Sequence, residues 1–235
     1  MARPARDHTV EILRAAQTVL RDCGVRGTTI EAVAQRAGVG KGTVFLYWPS
    51  KARLLQALAA LEGARLAEVQ RRQVLGDPAA FSLGGFLVGQ VEALWGSDYL
   101  SEFLADLGGV LELAEGRQRD GQRTRWAETE PDVARAAVAD GLIRAEDAVA
   151  AAETLAMLTA GAVLRGFDAP ERRPGILAAV RRTVDAAFAR ADVCPEVARA
   201  VAHAVADVLD AHADRLVDQA RPERPTSADL RELAV

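Results

Sequence analysis

The chain has 235 residues, of which 50% are hydrophobic and 26% are charged, enough for one large domain or two small ones with a real core. Two isolated cysteines and three scattered histidines indicate neither a disulfide framework nor a metal-ligand spacing, so no metal or cofactor is expected. No stretch approaches the roughly 18 apolar residues of a membrane span, which predicts a cytoplasmic protein without a membrane partner.

The charge is unevenly distributed along the chain. Residues 1–55 contain nine lysines and arginines against four acidic residues, whereas the remainder contains 20 basic and 29 acidic residues. A basic N-terminal segment on an acidic body indicates that the N-terminal segment meets a polyanion.

Apolar residues recur at three- and four-residue spacing almost throughout, which predicts an all-α fold. The first helix is expected from about Asp7 to Asp22, with Gly24 ending it in a left-handed turn. Thr28 and Glu31 have the spacing of a capping box and predict the start of a short second helix. Gly38 ends that helix.

A third short helix is predicted from about Gly40 to Trp48, because Pro49 disfavours helical geometry in the preceding residue. Ser50 is the expected cap of a longer fourth helix. The apolar stripe of this fourth helix predicts four buried leucines: Leu54, Leu55, Leu58 and Leu61.

Further helices are predicted over the rest of the chain, at about 78–95, 99–113, 116–139, 145–166, 174–190 and 195–220. Cys23 and Cys194 fall in apolar helical patterns and are expected to be small buried side chains. The final segment, 221–235, is polar and proline-bearing at its start, so a loosely held tail is expected.

The segment "GVGKGT" at residues 38–43 resembles the end of a nucleotide-binding P-loop. A P-loop requires a glycine five residues before the Gly-Lys pair, and a strand that leads into the loop. Here Gln35 stands at that position, and the preceding residues are helical by pattern. A helix-turn-helix, in which the phosphates belong to DNA, fits the segment better.

The third helix is then a candidate recognition helix. Helical geometry places Val44 and Trp48 together as its inward pair. A buried role for the whole run "VFLYW" is the alternative. In the DNA-binding interpretation, lysine and threonine reach bases or phosphates, glycine permits close approach, and apolar groups contact thymine methyl groups. The residues concerned are Lys41 in the first turn, Gly42, Thr43, Phe45 and Leu46 facing outward, Tyr47 on the flank, and Lys51 placed for backbone phosphate.

The run "TTIEAVAQRAGVGKGTVFLYWPSKARLL" at residues 28–55 resembles the DNA-binding domain of the TetR family of transcriptional regulators. The resemblance covers residues 9–55. It implies contacts to phosphate or base for six residues: Thr28, Thr29, Lys41, Thr43, Tyr47 and Lys51. Phe45 stands where the family usually has tyrosine, which removes the hydrogen bond of one expected phosphate contact.

The family architecture implies a three-helix DNA-binding domain over residues 1–55 and a helical effector-binding and dimerisation domain over residues 56–220. Two apolar stripes are candidates for a four-helix dimer interface, unless they only pack on their own core. A twofold dimer predicts an inverted-repeat DNA operator. The stripes comprise Val149, Ala152, Leu155, Ala156, Thr159 and Val163 in one helix, and Val197, Val201, Val205, Val208, Leu209 and Leu216 in the last.

Five aromatic residues and one arginine are candidates to line a pocket for a small, largely apolar effector, although each can also serve packing or an ion pair. The sequence thus predicts a homodimeric repressor, not an enzyme, that releases double-stranded DNA when an effector binds. A DNA-binding regulator without an effector, and a nucleotide-using enzyme, are the alternatives. The candidates are Phe86, Trp95, Phe103, Trp126, Arg165 and Phe167.

Overall fold

The computed structural model describes residues 7–97, 129–144, 147–190 and 193–234. Within these ranges the chain forms helices and no strand, which confirms the all-α prediction. The helices are α1 (Thr9–Gly27), α2 (Ile30–Ala37), α3 (Lys41–Tyr47), α4 (Lys51–Gly76), α5 (Leu83–Trp95), α6 (Thr129–Ala139), α7 (Ala148–Asp168), α8 (Arg173–Phe188) and α9 (Pro195–Gln219), with 3-10 turns at Pro78–Ala80, Pro170–Arg172 and Leu230–Leu233.

The chain divides into two units. Unit 1 contains Met1–Arg65 together with Asp214–Val235, and unit 2 contains Leu66–Ala213. This division differs from the expected boundary near residue 55, because the first half of α4 and the C-terminal segment both belong to unit 1.

The core of unit 1 is built by α1, α2 and α3. The inward faces of α1 and α2 bury Ile12, Ala16 and Val33 completely or almost completely, as the helical spacing predicts. Gly24 and Gly38 have positive φ values of 67° and 69°, which glycine adopts at least cost. Gly24, with a ψ of 177°, kinks α1 rather than ending it as predicted, since the helix continues to Gly27. At Gly38 the left-handed conformation ends α2, so the chain turns towards α3.

The cap of α2 lies one residue later than the capping-box pattern predicts. Thr29 is the N-cap residue, and its hydroxyl oxygen accepts a hydrogen bond of 3.1 Å from the amide of Ala32. The Thr28 hydroxyl instead donates inward to the carbonyl of Gly24 at 2.8 Å. Thr28 therefore closes the end of α1, and Glu31 is left for another partner.

The C-terminal tail, residues 221–234, packs within unit 1, unlike the loose tail expected from its composition. Leu230 is completely buried, and the 3-10 turn that contains it packs against α1. The carboxylate of Asp7 accepts hydrogen bonds from the Thr226 hydroxyl at 2.6 Å and from the Ser227 amide at 3.2 Å. Composition does not predict this order, because the tail is anchored by one leucine, Leu230, and by one carboxylate far away in sequence, Asp7.

The Asp7 carboxylate predicts a pH-dependent stability. Burial raises its pKa, but hydrogen bonds from Thr226, Thr9 and Ser227 outweigh that effect and lower the pKa from 3.8 to about 2. The ionised Asp7 carboxylate therefore stabilises the folded state fully above about pH 3.8, and this contribution is lost as the pH falls towards 2. We expect Asp7→Asn to lower the free energy of unfolding at pH 7, with a difference from wild type that narrows below pH 4 in denaturant titrations. A difference in unfolding free energy that stays constant from pH 7 to pH 3 would show that the ionised Asp7 carboxylate does not stabilise the tail.

Unit 2 packs α5 against α7 and α8, and α6 against α7. The helices of unit 2 that the structure describes lie within about five residues of the predicted positions. The helix predicted at 99–113 and the first part of the one predicted at 116–139 lie outside the described residues. In α9 four residues of the predicted dimer stripe are already buried within the chain. These residues therefore pack inside the chain itself rather than against a partner. They are Val201, Val205, Leu209 and Leu216.

One helix presents a large apolar face to solvent. In α7, Val149 and Met157 are 76% and 66% exposed, and Leu164 is also exposed. By length and composition α7 could cross a membrane, and 22% of its most apolar 18 residues are buried. The sequence analysis did not identify this helix as a candidate span. An exposed apolar face such as that of α7 is also typical of a surface that binds another protein.

Both cysteines are exposed, contrary to the expectation that they are buried. Cys23 directly precedes the kink at Gly24, where the backbone of α1 departs from helical geometry. Cys194 directly precedes the first residue of α9. Helical spacing fails to predict burial at these two positions because each lies where a regular helix stops or starts.

Candidate nucleic-acid interface

The two short helices α2 and α3 are joined by a three-residue turn, Gly38 to Gly40. The amide of Val39 donates to the carbonyl of Ala34 at 3.0 Å, which closes the end of α2. The carbonyl of Gly40 then accepts from the Thr43 amide at 2.9 Å and starts α3. This connection is a helix-turn-helix, and the "GVGKGT" segment forms the turn and the first residues of α3, after a helix rather than a strand.

The side chains of α3 divide into two faces, largely as predicted. Val44 and Trp48 are buried, and they anchor the helix to unit 1. Phe45 is 40% exposed and Leu46 is 61% exposed. Two large apolar side chains next to each other on an exposed helix lose hydrophobic stabilisation unless a partner covers them.

Gly42 completes this exposed face. A Cβ atom at Gly42 would have no other atom within 4 Å, so the protein itself does not require a glycine here. Thr43 is half-buried beside it. We call the surface formed by Lys41, Gly42, Thr43, Phe45 and Leu46 the recognition face.

Lys41 on the recognition face is paired with Glu31 of α2. The Lys41 ammonium also lies 5.7 Å from the centre of the Phe45 ring. Hydrogen bonding to Lys41 lowers the pKa of Glu31 below its ordinary value. Both groups are exposed, so the pair is weak, and the lysine can leave it for a phosphate or a base. The capping-box interpretation did not predict this pairing of Glu31 with Lys41.

Tyr47 is completely buried and does not lie on the recognition face. Its hydroxyl accepts a hydrogen bond from the amide of His8 at 2.9 Å. The guanidinium of Arg224 lies 5.5 Å from the centre of its ring. In this arrangement Tyr47 joins α1, α3 and the tail.

The residues expected to contact phosphate at the flanks occupy different surroundings. Thr29 is exposed at the start of α2, whereas Thr28 is buried with its hydroxyl bonded to Gly24. The ammonium of Lys51 donates to the carbonyl of Arg26 at 3.3 Å. The structure thus brings Thr29 and Lys41 to the surface of the same helix pair and directs Thr28 inward.

The candidate effector residues within the described ranges make packing contacts. Phe86 is buried, with its ring centre 6.4 Å from that of Phe81. The indole nitrogen of Trp95 donates to the carbonyl of Val163 at 3.1 Å. Arg165 is exposed and pairs with Asp168 at 3.1 Å. Phe103 and Trp126 lie outside the described residues.

Phe167 and Trp95 share one cation. The guanidinium carbon of Arg173 lies 5.0 Å from the Trp95 ring centre and 5.9 Å from that of Phe167. Its Nε also donates to the carbonyl of Gly166 at 3.0 Å. This cluster joins α8 to the end of α7, so both rings have the packing role that the sequence left open as an alternative.

Residues 12–58 match the family model described as "Bacterial regulatory proteins, tetR family". A curated relative, the HTH-type transcriptional repressor KstR of Mycobacterium tuberculosis, is 30% identical over 86 residues. That match covers 37% of this chain and 39% of KstR, so the chain spans about two fifths of the length of this relative.

The chain is similar to solved structures that include RolR in complex with resorcinol, at 23% identity and a TM-score of 0.48, covering 83% of this chain and 92% of RolR. A TetR variant of Acinetobacter baumannii in complex with minocycline has 24% identity and a TM-score of 0.44, covering 74% of this chain and 90% of the variant. The family match confirms the sequence-based resemblance: the N-terminal domain is a helix-turn-helix domain of the TetR family of transcriptional regulators.

Proposed function

We propose that this regulator is a cytoplasmic homodimeric repressor that binds an inverted-repeat DNA operator through the recognition face and releases it when a small, largely apolar effector binds in unit 2. The observation that carries the proposal is the recognition face itself. It sets exposed aromatic and aliphatic side chains beside a lysine and an unconstrained glycine, on the second helix of a helix-turn-helix of the TetR family.

Each member of the recognition face has a chemical counterpart in a major groove. The Thr43 hydroxyl can bond a base or a phosphate, and Lys41 can donate to guanine or to phosphate after leaving Glu31. Phe45 and Leu46 can cover thymine methyl groups, which stabilises the complex by removing apolar surface from water. Gly42 lets the backbone of α3 approach the base edges closely.

Dimerisation is supported by the exposed apolar face of α7. Val149, Met157 and Leu164 lie within about 80° of one another around the helix, at 100° per residue, and so form one stripe. Two copies of the stripe related by a twofold axis would cover each other. A dimer of this kind would place two recognition helices about one DNA turn, roughly 34 Å, apart on an inverted repeat.

Effector binding is supported by one polar group in unit 2. Gln70 of α4 is buried, and its amide nitrogen has no hydrogen-bond acceptor within the described part of the chain. A buried donor without a partner is unfavourable, and a carbonyl or hydroxyl oxygen of an effector would satisfy it. A regulator that acts without an effector is the alternative for this unit.

The experiment that tests DNA binding is its dependence on salt. A protein that neutralises several phosphates loses affinity steeply and linearly on a log–log plot of binding constant against salt concentration. We expect such a slope with an operator duplex, and a smaller slope for Lys41→Gln because one phosphate contact is removed. Affinity that is flat between about 50 and 200 mM salt would contradict the proposal, whereas nucleotide turnover that Lys41→Gln removes would favour an enzyme.

A further inference from the structure

The C-terminal tail reaches the recognition helix itself. The amide of Glu223 donates to the carbonyl of Tyr47, the last residue of α3, at 2.9 Å. The next residue, Arg224, places its guanidinium over the Tyr47 ring. Two residues further on, Thr226 and Ser227 bond Asp7. The tail thus contacts both the end of α3 and the segment that leads into α1.

The bond from Glu223 satisfies a group that α3 leaves unpaired. The last carbonyls of any helix have no partner within the helix. Because α3 has only seven residues, it forms fewer than two turns and has little stability of its own. The orientation of such a short helix depends on the groups that hold its ends.

Tyr47 connects the end of α3 to the N-terminal segment and to the tail. Its hydroxyl accepts from the His8 amide, its carbonyl accepts from the Glu223 amide, and its ring lies under Arg224. All three contacts are made by segments outside the helix-turn-helix. Displacing the tail removes two of them and exposes the ring on the side that Arg224 covers.

The tail is built to adopt one conformation. Pro222 and Pro225 flank the two residues that contact Tyr47, and each proline fixes one backbone angle and so reduces the entropy lost on ordering. The far end is anchored by buried Leu230 and by an ion pair between Arg231 and Asp214 of α9. These features explain how a short polar segment stays in place.

We propose that the tail is a strap that positions the recognition helix, so that DNA affinity depends on the contacts of Glu223, Arg224 and Thr226 although none of them belongs to the helix-turn-helix. The proposal rests on the proposed DNA-binding function. Arg224 and Thr226 act as positioning residues, through Tyr47 and Asp7 respectively.

The test uses two pairs of variants in the full-length protein. Arg224→Gln removes the cation over Tyr47, and its matched control, Arg221→Gln, removes the same charge from a tail arginine that pairs with Asp218 at 2.9 Å. Thr226→Val removes the hydroxyl that bonds Asp7, and Thr226→Ser retains it. Affinity is measured by fluorescence anisotropy, with a duplex that the wild type enriches from a random DNA pool. Amide hydrogen exchange of His8 and Glu223 is measured without DNA.

We expect Arg224→Gln and Thr226→Val to bind DNA at least fivefold more weakly than their controls, and to exchange the His8 and Glu223 amides faster, with Thr226→Ser close to wild type. Equal affinity within both pairs, with wild type binding DNA, would overturn the strap proposal alone. Failure of the wild type to bind any DNA would overturn the proposed function and the strap together, so the two failures are distinguishable.

Discussion

Replacing Gly42 with glutamate is expected to abolish specific DNA binding while leaving the fold unchanged. A side chain at this position would leave the helix into open space, since no atom lies within 4 Å of where its Cβ would stand, so the glutamate does not disturb unit 1. Against DNA the same side chain meets base edges at close range and adds a negative charge among phosphates. Each good base contact is worth ~1–3 kcal/mol, so losing one or two and adding repulsion should weaken binding at least about 100-fold.

The matched control is Gly76→Glu, which introduces the same side chain at an exposed glycine of unit 2 that also has no atom within 4 Å of its Cβ position. Gly76→Glu should bind the operator as the wild type does. Affinities are compared by anisotropy titration, and circular dichroism and thermal unfolding verify that both variants are folded. A folded Gly42→Glu variant that binds DNA normally would show that the recognition face does not enter the groove.

Replacing Met157 with glutamate is expected to convert the dimer into a monomer. Met157 lies near the middle of the exposed apolar stripe of α7, where a twofold axis would bring it close to the same stripe of the second copy. An unpaired carboxylate buried in an interface costs several kcal/mol, which corresponds to a rise of at least about 100-fold in the dimer dissociation constant. Operator affinity should fall as well, because a monomer can occupy only one half-site.

Analytical ultracentrifugation at micromolar concentration measures this change directly. The control is Ala200→Glu, which places the same charge at an exposed alanine of α9 and should leave the dimer intact. A dimer that survives in Met157→Glu would show that the apolar face of α7 serves another partner. A wild type that is monomeric at all concentrations would remove the basis for an inverted-repeat operator.

The parts of the fold that depend on local signals are those the sequence predicts. Gly38 adopts the left-handed conformation that ends α2, and α3 stops before Pro49. At Gly24 the predicted break appears as a kink, and α1 continues to Gly27. Helical spacing alone places Val44 inside and Leu46 outside. Each of these features is determined by residues within a few positions of one another.

The parts that depend on distant residues are those the sequence does not predict. Tyr47 is buried because His8, near the start of the chain, and Arg224, near its end, enclose its hydroxyl and ring. One missed feature is local: the Thr28 hydroxyl bonds the carbonyl of Gly24, four residues earlier, at a kink that helical spacing does not predict. No periodicity encodes the bond between Asp7 and Thr226, since a side-chain contact over 219 positions has no local signature.

The most direct test of DNA reading by the recognition face is selection of bound duplexes from a random DNA pool by the purified wild type, with Gly42→Glu selected in parallel and both pools sequenced. We predict that the wild type enriches an inverted repeat whose half-sites are about one helical turn apart, and that Gly42→Glu enriches none. Enrichment of the same sequence by both proteins, or of none by the wild type at low salt, would contradict the claim that the recognition face reads DNA.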